Sequence, residues 1–396
     1  MIPELRRSFN AAFTEERYAA TQRRLEERLG CRIHFRMCET PVLLPPALRD
    51  AMVRAAREIL QELSTKDQLA FSREAIPPDL DVPGEGLHPF CAQVDFAVVE
   101  DGGRLHPRLI ELQAFPSLYG FQLYQAEEQR RDVPGGETLD FLLSGLDSDG
   151  YRRVVGEALT NGHPAENVVL MDIDPPTQKT YPDFAATEKL WGVRPVCATT
   201  LVKRGRELWY DRDGKPTRIL RLYNRVIFDE LFARKIALPF SFTEPLDVEW
   251  AGHPNWYFRW SKHSLPRLTH PSVPETRFLS DFARWPEDLP AWVLKPLFSF
   301  AGSGVKVDVT AADLDSIEPS RRRDFILMRK VAYAEAVASA YGGASKVEVR
   351  VMFLWKDGKP LPVTTLARLS QGKMMGVAFN KDKKWVGSSS CLWPAA

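Results

Sequence analysis

Cysteine and long apolar runs are scarce in this sequence of 396 residues. Its five cysteines are scattered and form no CxxC pair: Cys31, Cys38, Cys91, Cys197 and Cys391. This pattern argues against a disulfide framework or a zinc site and is typical of a protein in the reducing cytoplasm. No segment approaches the roughly 20 apolar residues that span a bilayer, and the charged N-terminal residues do not resemble a signal peptide.

An excess of one charge is also lacking. The chain has 53 Lys and Arg against 52 Asp and Glu, whereas a nucleic-acid binder usually shows a strongly basic surface. We therefore expect a cytoplasmic protein with neither a nucleic-acid nor a membrane partner. The near-neutral total conceals an asymmetry, since residues 251–396 hold 21 Lys and Arg against 13 Asp and Glu. The rest of the chain is correspondingly acidic.

The length predicts two or three domains, because single hydrophobic cores stop growing at roughly 250–300 residues. Residues 1–85 have apolar side chains at helical spacing and predict a helical region. A hairpin follows, with its turn at Asp101–Gly103, and residues 136–160 again indicate helix. The segment 167–201 has the pattern of a strand–helix–strand unit. The last third is rich in strands, so the fold class expected is α+β.

A glycine loop, Phe298–Gly304, lies between the two predicted strands WVLKPL and VKVDV. Small residues there allow backbone N–H groups to approach a polyphosphate, as in a flap over ATP, although such a loop is more often a plain hairpin. It is neither a P-loop nor a dinucleotide-binding fingerprint. Lys295 on the incoming strand would reach a phosphate; the alternative is an edge-strand lysine.

Three oxygen-bearing side chains occupy the two arms of the first hairpin. Glu111 and Gln113 leave the same face of their strand, and strand pairing would bring Asp95 beside them. Oxygen ligands of this kind suit Mg²⁺, whereas the alternative is a solvated polar face.

Four basic residues lie in or near predicted strands: Arg225, Lys262, Arg350 and Arg368. The guanidinium fork suits phosphate or carboxylate binding. Taken singly, each is typical of a surface ion pair.

The order of these motifs resembles the circularly permuted ATP-grasp enzymes of the glutathionylspermidine-synthetase-like group, over roughly residues 86–386. The matching segments are Asp95-Phe96, Gly102-Gly103, Glu111-Leu112-Gln113 with Pro116, LRLYNRVIFDEL, SKHSLPRL, WVLKPLFSFAGSGV, FILMRKV, VEVRVMFL and TTLARLS. Two positions depart from that pattern. Gln113 stands where the group usually has Asn, and Gln93 where it commonly has Arg.

The resemblance implies an ATP-grasp fold in circularly permuted order. Its parts would be an N-terminal helical region (1–85), a metal-carboxylate segment (86–160), a pre-ATP-grasp-like α/β domain (161–250) and a nucleotide-binding region (251–396). The implied activity is an ATP-dependent carboxylate–amine or carboxylate–thiol ligase that acts through an acylphosphate. Its substrates would be a small-molecule or peptide-like carboxylate and an amine or thiol.

The resemblance also implies roles for particular residues. Asp95, Glu111 and Gln113 would hold Mg²⁺. Arg350, with Arg225 or Arg368, would bind the γ-phosphate or the substrate carboxylate. The ATP-binding residues would be Lys262, Lys295, Ser299, Ala301, Gly302, Ser303, Gly304, Met328, Arg329, Lys330 and Val331.

Because of Gln93 and Gln113, an alternative interpretation is a non-catalytic homologue that binds a nucleotide or a peptide as a scaffold or regulator. A phosphotransferase that stops at the phosphorylated product is a third alternative.

Overall fold

The computed structural model describes residues 1–299, 303–373, 375, 380 and 382–395. Its α-helices are α1 (Pro3–Ala12), α2 (Glu15–Leu29), α3 (Pro46–Leu63), α4 (Lys66–Arg73), α5 (Tyr119–Asp132), α6 (Ser148–Thr160), α7 (Tyr181–Trp191), α8 (Phe228–Arg234), α9 (Asn255–Arg259) and α10 (Ala311–Asp315). Each helix in the described ranges is too short or too polar to cross a bilayer.

The strands belong to several sheets. They are β1 (Val42–Leu43), β2 (Cys91–Asp101), β3 (Arg104–Gln113), β4 (Leu139–Asp140), β5 (Val168–Asp172), β6 (Arg194–Cys197), β7 (Val202–Arg204), β8 (Glu207–Arg212), β9 (Lys215–Ile219), β10 (Arg221–Asn224), β11 (Glu249–Ala251), β12 (Thr276–Phe278), β13 (Trp292–Pro296), β14 (Phe325–Arg329), β15 (Val337–Ala338), β16 (Ala344–Lys356), β17 (Lys359–Ser370), β18 (Gly387–Ser389) and β19 (Cys391–Pro394). The molecule is therefore mixed α+β, as the sequence predicts.

The largest sheet, called the central sheet below, is antiparallel and has the strand order β18-β17-β16-β2-β3, with β15 attached to β16. Two hairpins form it, the first of them predicted from the sequence. Gly102 and Gly103 turn the chain from β2 to β3, both with positive φ, and Asp357-Gly358 turns it from β16 to β17. The two hairpins join through antiparallel pairing of β16 with β2, which brings segments some 250 residues apart in sequence side by side.

One face of the central sheet is apolar and packs against α3. On β2 and β16, Val94, Phe96, Val349 and Val351 are buried in the main core together with the inward residues of α3. Side chains alternate between the two faces of a strand, so the intervening residues, such as Asp95, project from the opposite face. The predicted apolar stripe of α3 is buried throughout: Leu48, Met52, Ala55, Ile59 and Leu63.

A second, smaller sheet is parallel and has the order β11-β10-β5-β6. The helix α7 connects β5 to β6, which confirms the predicted strand–helix–strand unit. The chain also forms a short antiparallel sheet, β7-β8-β9, in which Asp213 and Gly214 make the turn between β8 and β9.

A third sheet, β12-β14-β13, carries the glycine loop. The prediction of a strand at VKVDV is wrong, because within the described residues this segment makes only an isolated bridge between Lys306 and Leu294. The side chains of Lys306 and Asp308 are exposed, and the bridge lies on the edge of β13 away from β14.

Two other local expectations need correction. Residues 136–160 are not helical throughout, since α6 begins only at Ser148, after Asp147 accepts a hydrogen bond of 2.7 Å from the N–H of Gly150. The helix α5 had no clear sequence signal, because most of its residues are buried and it lacks the polar face that produces helical periodicity.

The two ends of the chain meet in a three-stranded sheet, β1-β19-β4. The adjoining strand β18 runs close to the backbone at Arg36. A Cβ on Gly387, which has a φ of +116°, would lie 2.4 Å from the carbonyl oxygen of Arg36, so only glycine fits there. All five cysteines are free thiols.

Candidate functional site

Polar side chains gather on the face of the central sheet opposite α3, called the polar face below. They lie on four neighbouring strands: Gln93, Asp95, Glu111, Gln113, Glu348, Arg350 and Arg368. The register places Asp95 opposite both Glu111 on β3 and Arg350 on β16. Sequence spacing predicted that Asp95 and Glu111 would be neighbours, and the strand pairing has this arrangement.

Asp95 is at the centre of the polar face and is only 1% exposed. Arg350 binds its carboxylate with two hydrogen bonds, from Nε at 2.6 Å and from Nη2 at 2.7 Å. Arg368 donates a further hydrogen bond to Oδ2. Burial alone would raise the pKa of the Asp95 carboxyl, but the two guanidinium groups together hold the pKa below its ordinary value.

Two glutamines extend this network along β2 and β3. The Oε1 atom of Gln93 accepts a hydrogen bond of 2.6 Å from Nη1 of Arg350 and another of 2.6 Å from Nε2 of Gln113. The amide of Gln93 in turn donates to the carbonyl oxygen of Ser117 at 2.9 Å. Gln93 therefore orients Arg350, and Gln113 points its amide nitrogen into the network.

Glu348 lies on β16 two residues before Arg350 and belongs to the same face. It forms an ion pair of 3.1 Å with Arg368 and accepts a hydrogen bond from the hydroxyl of Tyr333. Burial raises the pKa of Glu348, against the opposing effect of Arg368. Glu348 and Tyr333 are not among the residues predicted from the sequence, although the alternation in VEVRV places Glu348 on the same face as Arg350.

Lys262 reaches the polar face from a short 3₁₀ helix, Lys262–Arg267. Its side chain is buried, and its Nζ lies 3.2 Å from Oε1 of Glu111 and donates to the carbonyl oxygen of Ser299 at 3.1 Å. Lys262 thus connects the glycine loop with β3, an edge strand of the central sheet.

Lys295 reaches the same hairpin from β13 and is 8% exposed. Its Nζ donates to the carbonyl oxygen of Ile110 at 2.9 Å and lies 3.2 Å from Sδ of Met328. The register of β2 with β3 passes over Ile110, which leaves that residue without a partner on β2.

The electrostatic environment of Lys295 is unfavourable to its charge. Among the described residues, no carboxylate lies within ion-pair distance of its Nζ. Burial lowers the pKa of Lys295 from 10.5 to about 8, with Glu111 opposing and Lys262 reinforcing that shift. An anion at this position would restore much of the stabilisation that water gives an exposed ammonium.

Other predicted residues lie apart from this cluster. Arg225 follows β10, where its guanidinium donates to the carbonyl oxygen of Pro116 and lies 3.8 Å from Asp183. The structure therefore does not bring Arg225 together with Arg350 and Arg368.

In the glycine loop, Ala301 and Gly302 lie outside the described residues. Gly304 has a φ of +71°, and a Cβ there would lie 2.8 Å from Cγ of Pro296.

The last four predicted ATP-binding residues, 328–331, begin in β14 and continue two residues beyond its end. Met328 contacts Lys295, whereas Arg329 and Lys330 form exposed ion pairs with Asp288 and Asp308. The N–H groups of Arg329 and Lys330 donate to the carbonyl oxygens of Glu275 and Ala291, each at 2.8 Å.

The predicted magnesium ligands have other partners in this arrangement. Both oxygens of Asp95 bind guanidinium groups, Glu111 pairs with Lys262, and the amide nitrogen of Gln113 binds Gln93. Within the described ranges, no three His, Cys, Asp or Glu side chains group together to hold a metal ion. As arranged, the side chains of Asp95, Glu111 and Gln113 do not fit a coordination site for Mg²⁺.

Replacing Asp95 by Asn should destabilise the fold strongly, because Arg350 and Arg368 would lose their shared counter-charge in a buried site. The expected loss is about 3–5 kcal/mol in urea-induced unfolding at pH 7. Because folding depresses the pKa of Asp95, its contribution is complete above the ordinary carboxyl range and is lost as the pH falls below that range through the depressed pKa of the folded state. The difference between wild type and Asp95→Asn should therefore shrink in acid.

The matched control is Asp213→Asn, which removes an exposed carboxylate paired with Arg194 and should leave the stability nearly unchanged. Equal effects of the two substitutions would contradict the assigned role of the buried ion pair.

Replacing Lys295 by Met should leave the stability at pH 7 unchanged or raise it, because a desolvated charge is removed. One pKa unit corresponds to about 1.4 kcal/mol, so the gain is at most on the order of 3 kcal/mol. The wild type should become more stable as the pH rises from about 8 towards 10.5, since the unfolded chain then holds the proton that the folded chain has lost. Lys295→Met should lack this rise in chemical denaturation.

A loss of several kcal/mol at pH 7 in Lys295→Met would instead identify Lys295 as a structural residue.

Comparisons with known proteins identify the fold alone. No family model matches the chain, and no curated protein sequence matches it. Among solved structures, a glutathione synthetase-like effector from Globodera pallida, in its apo form, is similar with a TM-score of 0.60 and 14% sequence identity over 96% of each chain. The chain is thus a mixed α+β protein whose fold is similar to a glutathione synthetase-like structure.

Proposed function

We propose that this chain binds ATP between β13 and the polar face and acts as an ATP-dependent ligase that joins a carboxylate to an amine or a thiol. The observation that carries the proposal is the convergence of Lys262 and Lys295 on β3. Both ammonium groups are buried, they come from separate elements, and Lys295 lacks a carboxylate partner among the described residues. Such a pair fits an anionic ligand better than it serves the stability of the fold.

The lysines would hold the phosphates of the nucleotide. When bound, ATP would supply a phosphoryl group that activates the carboxylate substrate for attack by the amine or thiol. Lys262 bridges β3 and the glycine loop, so it would fix the distance between the phosphates and the polar face. The backbone at Ser299, Ser303 and Gly304 would cover the phosphates and keep out water.

The two arginines of the polar face would have different tasks. Arg350 is almost buried and is fully occupied by Asp95 and Gln93, so it orients Asp95. The side chain of Arg368 is 36% exposed, and it is the guanidinium better placed to meet a phosphate or a substrate carboxylate. We also propose a cytoplasmic location, which fits the five free thiols.

A non-catalytic homologue that binds a nucleotide or a peptide-like ligand is the second candidate. One observation favours it: both oxygens of Asp95 bind arginines, so the carboxylate expected to support catalysis is occupied. The structural neighbour is itself described as an effector.

Calorimetric titration with a non-hydrolysable ATP analogue tests nucleotide binding. Wild type should bind, and Lys295→Met should weaken the affinity by more than about tenfold, because it removes a charged contact to a phosphate. The control Lys203→Met removes a partly exposed lysine paired with Glu244 and should bind like wild type. Absence of binding to the folded wild type would contradict the proposal.

Release of ADP separates the two candidates once binding is established. Wild type is incubated with ATP and pools of carboxylates, amines and thiols. A ligase should release ADP only when a carboxylate and a nucleophile are both present. Binding without turnover across the pools would favour the non-catalytic homologue.

A further inference from the structure

The carboxylates of the polar face are neutralised without a divalent ion. Four cationic side chains meet there: Lys262, Lys295, Arg350 and Arg368. They face three carboxylates, those of Asp95, Glu111 and Glu348, and each carboxylate has at least one cationic partner. The cluster therefore has a surplus of positive charge before any ligand binds.

Arg350 and Arg368 take up the positions on Asp95 that a metal ion would need. Arg350 binds both carboxylate oxygens, and Arg368 adds a third contact on the side of Glu348. A divalent ion would have to displace a bidentate guanidinium from a carboxylate that is 1% exposed. Displacement would leave Arg350 buried without its counter-charge, which is strongly unfavourable.

The neighbouring glutamines reinforce this arrangement. Gln93 and Gln113 are neutral, and Gln93 accepts hydrogen bonds from both Arg350 and Gln113. An oxygen of Gln93 thus holds Arg350 against Asp95. The two positions that depart from the pattern of the ATP-grasp group are therefore those that stabilise the guanidinium in place.

We propose that the polar face binds a polyphosphate without a divalent metal, with the guanidinium groups of Arg350 and Arg368 in place of a metal at Asp95. The inference rests on the proposed nucleotide site and specifies its ligand as the metal-free polyphosphate anion. Arg368 and Lys295 would contact the ligand, since the side chain of Arg368 is 36% exposed and Lys295 has no carboxylate partner among the described residues. Arg350 is a positioning residue that acts through Asp95.

Calorimetric titration of wild type with ATP and with inorganic tripolyphosphate, in EDTA and in saturating Mg²⁺, tests the inference. Both ligands should bind in EDTA, with affinities that change by less than about tenfold when Mg²⁺ is added. Arg368→Met should weaken binding in EDTA by more than about tenfold, whereas Arg194→Met, at an exposed ion pair, should not.

Affinity that appears only with Mg²⁺ would overturn the inference and leave the nucleotide site standing. Absence of binding in both buffers would overturn the nucleotide site and the inference together.

A second measurement addresses the metal directly. Free Mn²⁺ is followed by electron paramagnetic resonance as wild-type protein is added without nucleotide. Wild-type protein should lower the signal of free Mn²⁺ no more than the Asp95→Asn variant does. A saturable Mn²⁺ site in wild type that is lost in folded Asp95→Asn would overturn the inference.

Discussion

The antiparallel pairing of β16 with β2 is the constraint on which the candidate site depends. It puts Arg350 directly opposite Asp95 and buries their ion pair at the centre of the central sheet. On the other edge of β16, the pairing with β17 places Glu348 opposite Arg368. A slip of one residue would turn these charges towards the core packed against α3, so the register and the ion pairs specify each other.

Around that pairing, buried charge is distributed unevenly. Asp95 is satisfied by two arginines, whereas Lys295 has a carbonyl oxygen and a thioether as partners. A folded chain retains a weakly compensated buried ammonium at a cost in stability. This residue supports the proposed ligand site, because an anion beside Lys295 would compensate its charge. The β-bulge at Ile110 contributes, because it leaves that residue outside the register of β2 with β3.

Local patterns in the sequence predict a large part of this arrangement. Alternation puts Glu111 and Gln113 on one face, the turn at Gly102-Gly103 brings Asp95 beside Glu111, and helical spacing identifies the buried stripe of α3. The partners of Asp95 could not be predicted in the same way, because the register between β2 and β16 depends on long-range packing. The sequence predicts Asp95 to be a magnesium ligand, whereas its observed partners are Arg350 and Arg368.

Three other features differ from what local sequence patterns predict. The helix α5 is buried on most sides, so no polar face marks it as a helix. The segment VKVDV alternates like a strand, yet it pairs with β13 only at Lys306, which exchanges two backbone hydrogen bonds with Leu294 on the edge of β13 away from β14. Residue type groups Arg225 with Arg350 and Arg368, but its guanidinium donates a hydrogen bond to the carbonyl oxygen of Pro116.

A crystal structure with a non-hydrolysable ATP analogue, grown with Mg²⁺ present, tests the central claim most directly. The account predicts phosphate oxygens within hydrogen-bond distance of Nζ of Lys262 and Nζ of Lys295, with Arg350 still bound to both oxygens of Asp95. A nucleotide bound elsewhere, or a metal ion on Asp95 with Arg350 displaced, would contradict it.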